Sequence, residues 1–289
     1  MLYISDLDGT LLNTKAELSD YSREKLAELI RGGVKFTVAS ARSVVAMQKL
    51  LKDVPMRLPV IEFNGAFLSD LTTGKHLVIN EIKKDAVFGI YNYLQSKSFY
   101  PFISTFNGEE DCLYYSKLTN GGQEWHCNNR TTQKDRRLRH VPDLSTTLEE
   151  QVVCITVIDT REVLDELYTK FQHSYGPHVR MYLSRNIYSP QWCWLTIHSN
   201  LAAKDQAILT LKNKFGCSKD RITVFGDDIN DIPMFRCADK AVAVANAAEE
   251  LKRYAHEVIG SNNENSVVNY ILADGIHRRE RKVHPVHNV

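Results

Sequence analysis

The sequence carries no excess charge of either sign: 36 lysines and arginines face 35 aspartates and glutamates, a net of +1. That balance gives no global attraction to nucleic acid or to an anionic membrane, so neither is expected as a partner. A phosphorylated ligand would have to be held by a local positive site. Long apolar runs are missing too, and nothing approaches the roughly 20 residues that span a bilayer. Met1 to Asp8 reach two carboxylates too early for the apolar core of a signal peptide. The six cysteines (Cys112, Cys127, Cys154, Cys193, Cys217, Cys237) include no Cys-x-x-Cys pair, which argues against a zinc knuckle or disulfide framework in a chain of 289 residues. They read as packed thiols in a reducing cytoplasm, the expected location. Internal repeats and low-complexity segments are also absent. What is present, 43% hydrophobic and 25% charged residues, suits a globular chain able to bury a substantial core.

The first third alternates strand and helix signals. Leu2 to Leu7, Val34 to Ala39 and Pro59 to Phe63 read as strands, and Ser19 to Arg31 and Ser43 to Leu51 as helices. Ser19 is a candidate N-cap and Gly32-Gly33 a helix stop. The last third repeats the alternation, with helices at Ala202 to Phe215, Asn230 to Arg236, Ala248 to Tyr254 and near Ser266 to Ala273. Its strands fall at Arg221 to Phe225, Ala241 to Ala245 and His256 to Ile259. This pattern predicts the α/β class, with a Rossmann-like, doubly wound parallel sheet. The middle is richer in aromatics, cysteine and polar loops. Helices at Lys83 to Ser96 and Arg161 to Tyr175 stand among strand-like runs at Tyr100 to Phe106, Cys112 to Ser116, Val152 to Ile158 and His178 to Leu183. Residues 81–195 are therefore expected to form an inserted α+β domain, and residues 1–80 with 196–289 the core. The tail from His277 to Val289 is basic, lacks an apolar period and reads as solvated.

Four stations carry chemistry. Asp6-Leu7-Asp8-Gly9-Thr10 ends the first strand. Side chains two apart on a strand point to one side, so Asp6 and Asp8 can converge at the strand-end edge where open α/β sheets bind ligands. Their repulsion invites a hard divalent cation. Gly226-Asp227-Asp228-Ile229-Asn230-Asp231 follows another apolar strand and adds acids at the same edge, provided both strands share one sheet. Asp227 is the best placed of these for metal contact, Asp231 can orient a metal-bound water, and Asn230 offers an amide to a phosphate oxygen. Ser40-Ala41-Arg42 puts a hydroxyl and backbone N–H groups just before a helix, an anion site. Lys204 stands near a helix start, against the macrodipole, which points to a charge-compensating role.

In this order the stations, with Leu11-Leu12 after the first and Asn64-Gly65-Ala66 after the second, resemble the haloacid dehalogenase-like hydrolase superfamily, and within it the Cof-type sugar-phosphatase branch. The long insertion between Arg42 and Lys204 matches the position of that branch's type-two α+β cap. The resemblance implies Mg²⁺ held by Asp6, the Asp8 backbone carbonyl and Asp227. It implies Asp6 as nucleophile, Asp8 as general acid and then base, and Ser40, Ala41, Arg42, Lys204 and Asn230 around the phosphoryl group. Asn64 and Gly65, at the cap junction, become candidate substrate residues. Two departures stand out: Ala41 where glycine is usual, and Asp205 after the lysine. Neither is expected to abolish activity, provided Ala41 keeps a negative φ.

The expected function is Mg²⁺-dependent hydrolysis of a small phosphorylated metabolite, such as a sugar phosphate, through an aspartyl-phosphate. A phosphometabolite sensor with little turnover and a phosphotransferase or mutase are the alternatives. Candidate selectors of the leaving group are the basic stretch Arg130, Lys134, Arg136, Arg137 and Arg139 and the loop Arg185-Asn186. Trp192-Cys193-Trp194 reads as a buried strand. Oligomeric state is not encoded in any recognisable pattern.

Overall fold

The computed structural model describes residues 1–185 and 191–283. The chain divides into two compact units, one of residues 1–78 and 203 onward, the other Ile79–Ala202. In the first unit the chain runs through β1 (Leu2–Ser5), α1 (Asp20–Arg31), β2 (Lys35–Val38), α2 (Val44–Leu50), β3 (Val60–Glu62), β4 (Phe67–Ser69) and β5 (His76–Ile79). The second unit holds α3 (Lys84–Ser96), β6 (Phe102–Phe106), β7 (Asp111–Tyr115), α4 (Gly121–Thr132), β8 (Leu138–His140), β9 (Gln151–Asp159), α5 (Arg161–Tyr175), β10 (Val179–Arg185) and β11 (Cys193–Ser199). The chain then returns as α6 (Lys204–Lys214), β12 (Ile222–Gly226), α7 (Ile232–Cys237), β13 (Lys240–Val244), α8 (Glu249–Lys252), β14 (Glu257–Ile259) and α9 (Ser266–Val283).

The first unit is built on a parallel sheet of order β14-β13-β12-β1-β2. β1 is buried along its whole length, as a central parallel strand covered on both faces requires. Its register on both sides is parallel: Ile4 lies opposite Val224 on one side and the buried Thr37 on the other. An isolated parallel bridge between Ala39 and Ile61 carries the edge on to β3. β3, read from the sequence, joins β4 and β5, which periodicity did not reveal, in a small separate sheet. Its strands are three or four residues long, too short to establish a period. Ser19 caps α1 as expected, accepting from the Ser22 N–H at 3.0 Å.

The second unit is a six-stranded sheet of order β10-β11-β9-β6-β7-β8, antiparallel except for β7 against β8. Alternate residues of β9 serve opposite faces. Ile155 and Val157 pack with Ile90, Leu164 and Phe171 of α3 and α5, and Ile158 packs with Phe102 of β6 and Cys127 of α4. The helix α4 is absent from the sequence reading because its residues, Gly-Gly at the start and Asn, Thr and Cys after, are poor helix formers. Capping by Asn120, which accepts from the Gln123 N–H at 2.9 Å, and burial of Cys127 hold it instead. Cys193 begins β11 and is buried, as read, with Trp194 partly buried beside it. Three of the basic candidates are held by carboxylates of their own unit, Arg130 and Arg137 by Asp135 and Arg139 by Glu110. Asn186 lies outside the described residues. The last helix, expected to stop near Ala273, continues to Val283, and the tail beyond it is also outside them. Once its packed first turns are nucleated, propagation adds one hydrogen bond per residue without needing an apolar stripe.

Candidate functional site

Parallel pairing delivers the stations to one edge. The Asp6 N–H donates to the Phe225 carbonyl at 2.9 Å, continuing the β1–β12 ladder to the last residue before the acids. The Ala39 N–H donates to the Ser5 carbonyl at 2.9 Å on the other side. Asp6, Asp227 and Ser40 therefore leave three adjacent strands at one level. After Asp6 the chain makes a wide turn, closed by Leu12 N–H to Leu7 carbonyl at 2.8 Å, in which Gly9 has φ +75°. A side chain there would collide with the Asp227 carboxylate, so both the backbone and the space demand glycine.

Carboxylate oxygens of Asp6, Asp227 and Asp231 lie within 4.8 Å of one another. The Lys204 ammonium, whose side chain is 1% exposed, donates to Asp6 Oδ1 at 2.5 Å and Asp231 Oδ1 at 2.6 Å. Asp231 Oδ2 accepts from the backbone N–H groups of Asp227 at 3.0 Å and Asp228 at 3.3 Å. Both Asp231 oxygens are thus occupied, and the residue braces the loop and the lysine. Asp227 Oδ1 accepts from the Thr10 hydroxyl at 2.7 Å. Asp6 Oδ2 accepts no hydrogen bond among the described residues.

Three carboxylates face one ammonium, so the cluster holds surplus negative charge. Burial raises the Asp6 carboxyl well above its ordinary range; Lys204 opposes this, and Asp231 and Asp227 reinforce it. Burial likewise pushes Asp227 up to about 6, against the Thr10 hydrogen bond and with the help of Asp231 and Asp228. Burial would lower the Lys204 pKa, but Asp231 and Asp6 win and raise it, so the ammonium stays charged. An all-oxygen donor set with excess negative charge fits a hard divalent cation such as Mg²⁺.

Above the cluster is a cavity of about 360 Å³ lined by Asp6, Asp8, Gly9, Ser40, Ala41, Asp227, Asp228 and Asn230. Ser40 accepts from the Arg42 N–H at 3.1 Å, which leaves its hydroxyl proton able to point elsewhere. Ala41 is not among the residues of positive φ, so the alanine replaces glycine without strain. Besides Asp231, four candidates stand apart from this lining. Lys204 sits beneath Asp6. Arg42 turns its guanidinium onto Asp8, Nε to Oδ2 and Nη2 to Oδ1, both at 2.7 Å, so it grips a carboxylate where a phosphoryl contact was expected. Asn64 and Gly65 lie in a left-handed segment whose N–H groups tie back to the second station, Phe63 to the Arg42 carbonyl and Asn64 to that of Ser40.

Sequence reasoning placed Thr10 in the first station without a role and passed over Asn246 and Asn262. The Asn246 amide donates to the Gly9 carbonyl at 2.8 Å and accepts from the Asn262 N–H at 2.9 Å, and Asn262 donates to the Leu12 carbonyl at 2.9 Å. The available signal was position: Asn246 follows β13, whose end lies on the same sheet edge.

A parallel α/β core that gathers acids at one strand-end edge, interrupted by an α+β cap, defines the class of capped α/β hydrolases. A family model for haloacid dehalogenase-like hydrolases matches residues 3–271, and the chain belongs to that family, in its Cof-type branch. It is 26% identical over 291 residues to the 5-amino-6-(5-phospho-D-ribitylamino)uracil phosphatase YwtE of Bacillus subtilis, covering 92% of this chain and 95% of that one. It is also 26% identical to the pyridoxal phosphate phosphatase YbhA of Escherichia coli, over 275 residues that make up 93% and 96% of the two chains. A crystal structure of a Thermotoga maritima protein, 27% identical, superposes with a TM-score of 0.75 over 94% of this chain and 96% of its own.

Proposed function

We propose that the protein is a Mg²⁺-dependent phosphomonoesterase acting on a small phosphorylated metabolite through an aspartyl-phosphate on Asp6. The observation that carries this reading is the state of the Asp6 carboxylate. One oxygen is held by Lys204, the other accepts no hydrogen bond among the described residues, and the residue lines the cavity. Mg²⁺ would be held by Asp6, Asp227 and the Asp8 backbone carbonyl, and when bound it supplies positive charge against the repulsion between carboxylate and phosphate. The Asp8 side chain has no place in that ligand set, since Arg42 holds it.

In the first half-reaction Asp6 Oδ2 forms a bond to phosphorus, the bond from phosphorus to the leaving oxygen breaks, and Asp8 gives that oxygen its proton. In the second, a water oxygen bonds to phosphorus, the Asp6–phosphorus bond breaks, and the water's proton passes to Asp8. Phosphate leaves with Asp6 and Asp8 restored. Ser40, Ala41 and Asn230 line the cavity wall, where a hydroxyl, a backbone N–H and an amide would hold the phosphoryl oxygens. The named relatives, both phosphatases of small phosphorylated metabolites, support a similar substrate class.

The test is phosphate release from p-nitrophenyl phosphate and a panel of sugar, nucleotide and cofactor phosphates, with and without Mg²⁺. Asp6→Asn is expected to reduce turnover to background; full activity in that variant overturns the assignment.

A further inference from the structure

We infer that Arg42 is a positioning residue for Asp8 rather than a ligand of the transferring phosphoryl group. The inference rests on the phosphatase reading and deepens it. The guanidinium meets Asp8 fork to fork, with two parallel contacts of 2.7 Å, the geometry that fixes a carboxylate in orientation as well as charge. Asp8 lines the cavity and Arg42 does not. Without the pair, the Asp8 side chain, which is 51% exposed, has no other hydrogen-bond partner among the described residues and would sample several rotamers.

The arginine is itself held in place. Its N–H donates to the Ser40 hydroxyl, and its carbonyl accepts from the Phe63 N–H at 3.3 Å. Ser43, next along, caps α2, and the buried Glu62 carboxylate accepts from the Val44 N–H at 2.5 Å. A charge presented by so many backbone ties suits aiming a neighbour.

The chemistry this would serve is the first half-reaction. As Asp6 bonds to phosphorus and the bond to the leaving oxygen breaks, the Asp8 proton moves to that oxygen. When Asp8 carries the proton, one of the two contacts yields and the other keeps the carboxyl aimed. Afterwards the Asp8 carboxylate returns to the fork, ready to take a proton from water.

The experiment compares kcat/KM of the full chain with Mg²⁺ on two substrates of one shape, phenyl phosphate and p-nitrophenyl phosphate. Phenoxide needs a proton as it leaves far more than p-nitrophenoxide does. Arg42→Gln is expected to lower kcat/KM on phenyl phosphate by about 10-fold to 100-fold, within the range of general-acid contributions, and on p-nitrophenyl phosphate by several-fold less. In an Asp8→Asn background the same substitution is expected to change kcat/KM by less than about 2-fold, because its effect runs through Asp8. Arg42→Lys, which keeps the charge without the fork, is expected to show the same bias with a smaller loss, and it keeps the comparison decisive if the glutamine variant folds poorly. Equal losses on both substrates, or full additivity with Asp8→Asn, overturn the inference while leaving the phosphatase intact. Wild-type protein inactive on both overturns the phosphatase reading and this one with it.

Discussion

Replacing Lys204 by methionine removes the one ammonium that, among the described residues, bonds to the buried acids. The side chain is 1% exposed and makes contacts of 2.5 and 2.6 Å to Asp6 and Asp231. Methionine fills a similar volume, so the change is chiefly electrostatic: Asp6 and Asp231 are left facing each other and Asp227 with no compensating charge. Breaking a buried pair by deleting one partner costs about 3–5 kcal/mol. For a domain of this size each kcal/mol lowers the melting temperature by about 2–4 °C, giving a fall of about 10 °C in metal-free protein at pH 8. The loss should shrink at pH 5, because a carboxyl whose pKa burial has raised can take up a proton and then needs no partner. It should shrink also with added Mg²⁺, which binds the folded site and not the unfolded chain. Differential scanning fluorimetry of Lys204→Met at both pH values, with chelator or with Mg²⁺, reads all of this. A variant that melts within about 2 °C of wild type at pH 8 in chelator would refute the reasoning, since about that much follows from a loss of under 1 kcal/mol.

Two more outcomes follow from the same cluster. In chelator, Asp227→Asn is expected to be more stable than wild type at pH 7, with the gap closing toward pH 4. The folded-state Asp227 pKa of about 6 lies above the ordinary carboxyl value of 3.8, so its favourable contribution is complete below about 4 and is lost as pH rises through 6. Screening at this partly exposed group limits the gap to about 1–2 kcal/mol, which urea titrations across that range resolve, and a gap independent of pH would refute the assignment. Asn246→Ala removes the donor to the Gly9 carbonyl and the acceptor of the Asn262 N–H. It is expected to cost about 1–2 kcal/mol and to lower kcat more than it raises KM, as measured by urea melts and steady-state kinetics.

The core and the carboxylate edge were legible because both depend on backbone periodicity. A strand that ends in Asp6 and another that ends before Asp227 must, if parallel neighbours, present their next residues at one level, and the pairing of Ser5 with Phe225 does this. What the sequence did not yield is direction. Asp8 and Arg42 stand in motifs that each suggest a phosphate or a metal, yet their side chains satisfy one another. No local pattern encodes a contact across 34 positions. The roles of Thr10 and Asn246 escaped for the same reason, since each residue matters through a partner more than 200 residues away. The helix α4 and the β4–β5 hairpin failed differently: propensity and period were weak, and tertiary burial decided the outcome.

The segment Phe63–Gly65 explains how the stations stay in register although they come from distant parts of the chain. Phe63, Asn64 and Gly65 have φ of +46°, +55° and +108°, and left-handed conformations at non-glycine residues cost about 1–3 kcal/mol each. Asn64 adds a buried Oδ1 that has no hydrogen-bond partner among the described residues. A segment so unfavourable persists only if its surroundings over-determine it. They do: its N–H groups bond to the Arg42 and Ser40 carbonyls, while Gly65 presses on Ala203, where a Cβ would come within 2.7 Å of the carbonyl oxygen. Ala203 is the N-cap of α6, and Lys204 is that helix's first residue. The strained turn therefore clamps the Ser40–Arg42 turn on one side and the root of Lys204 on the other. This clamping gives Asn64 and Gly65 a structural part in holding the site together. The strain is concentrated where a small displacement would separate the lysine from Asp6.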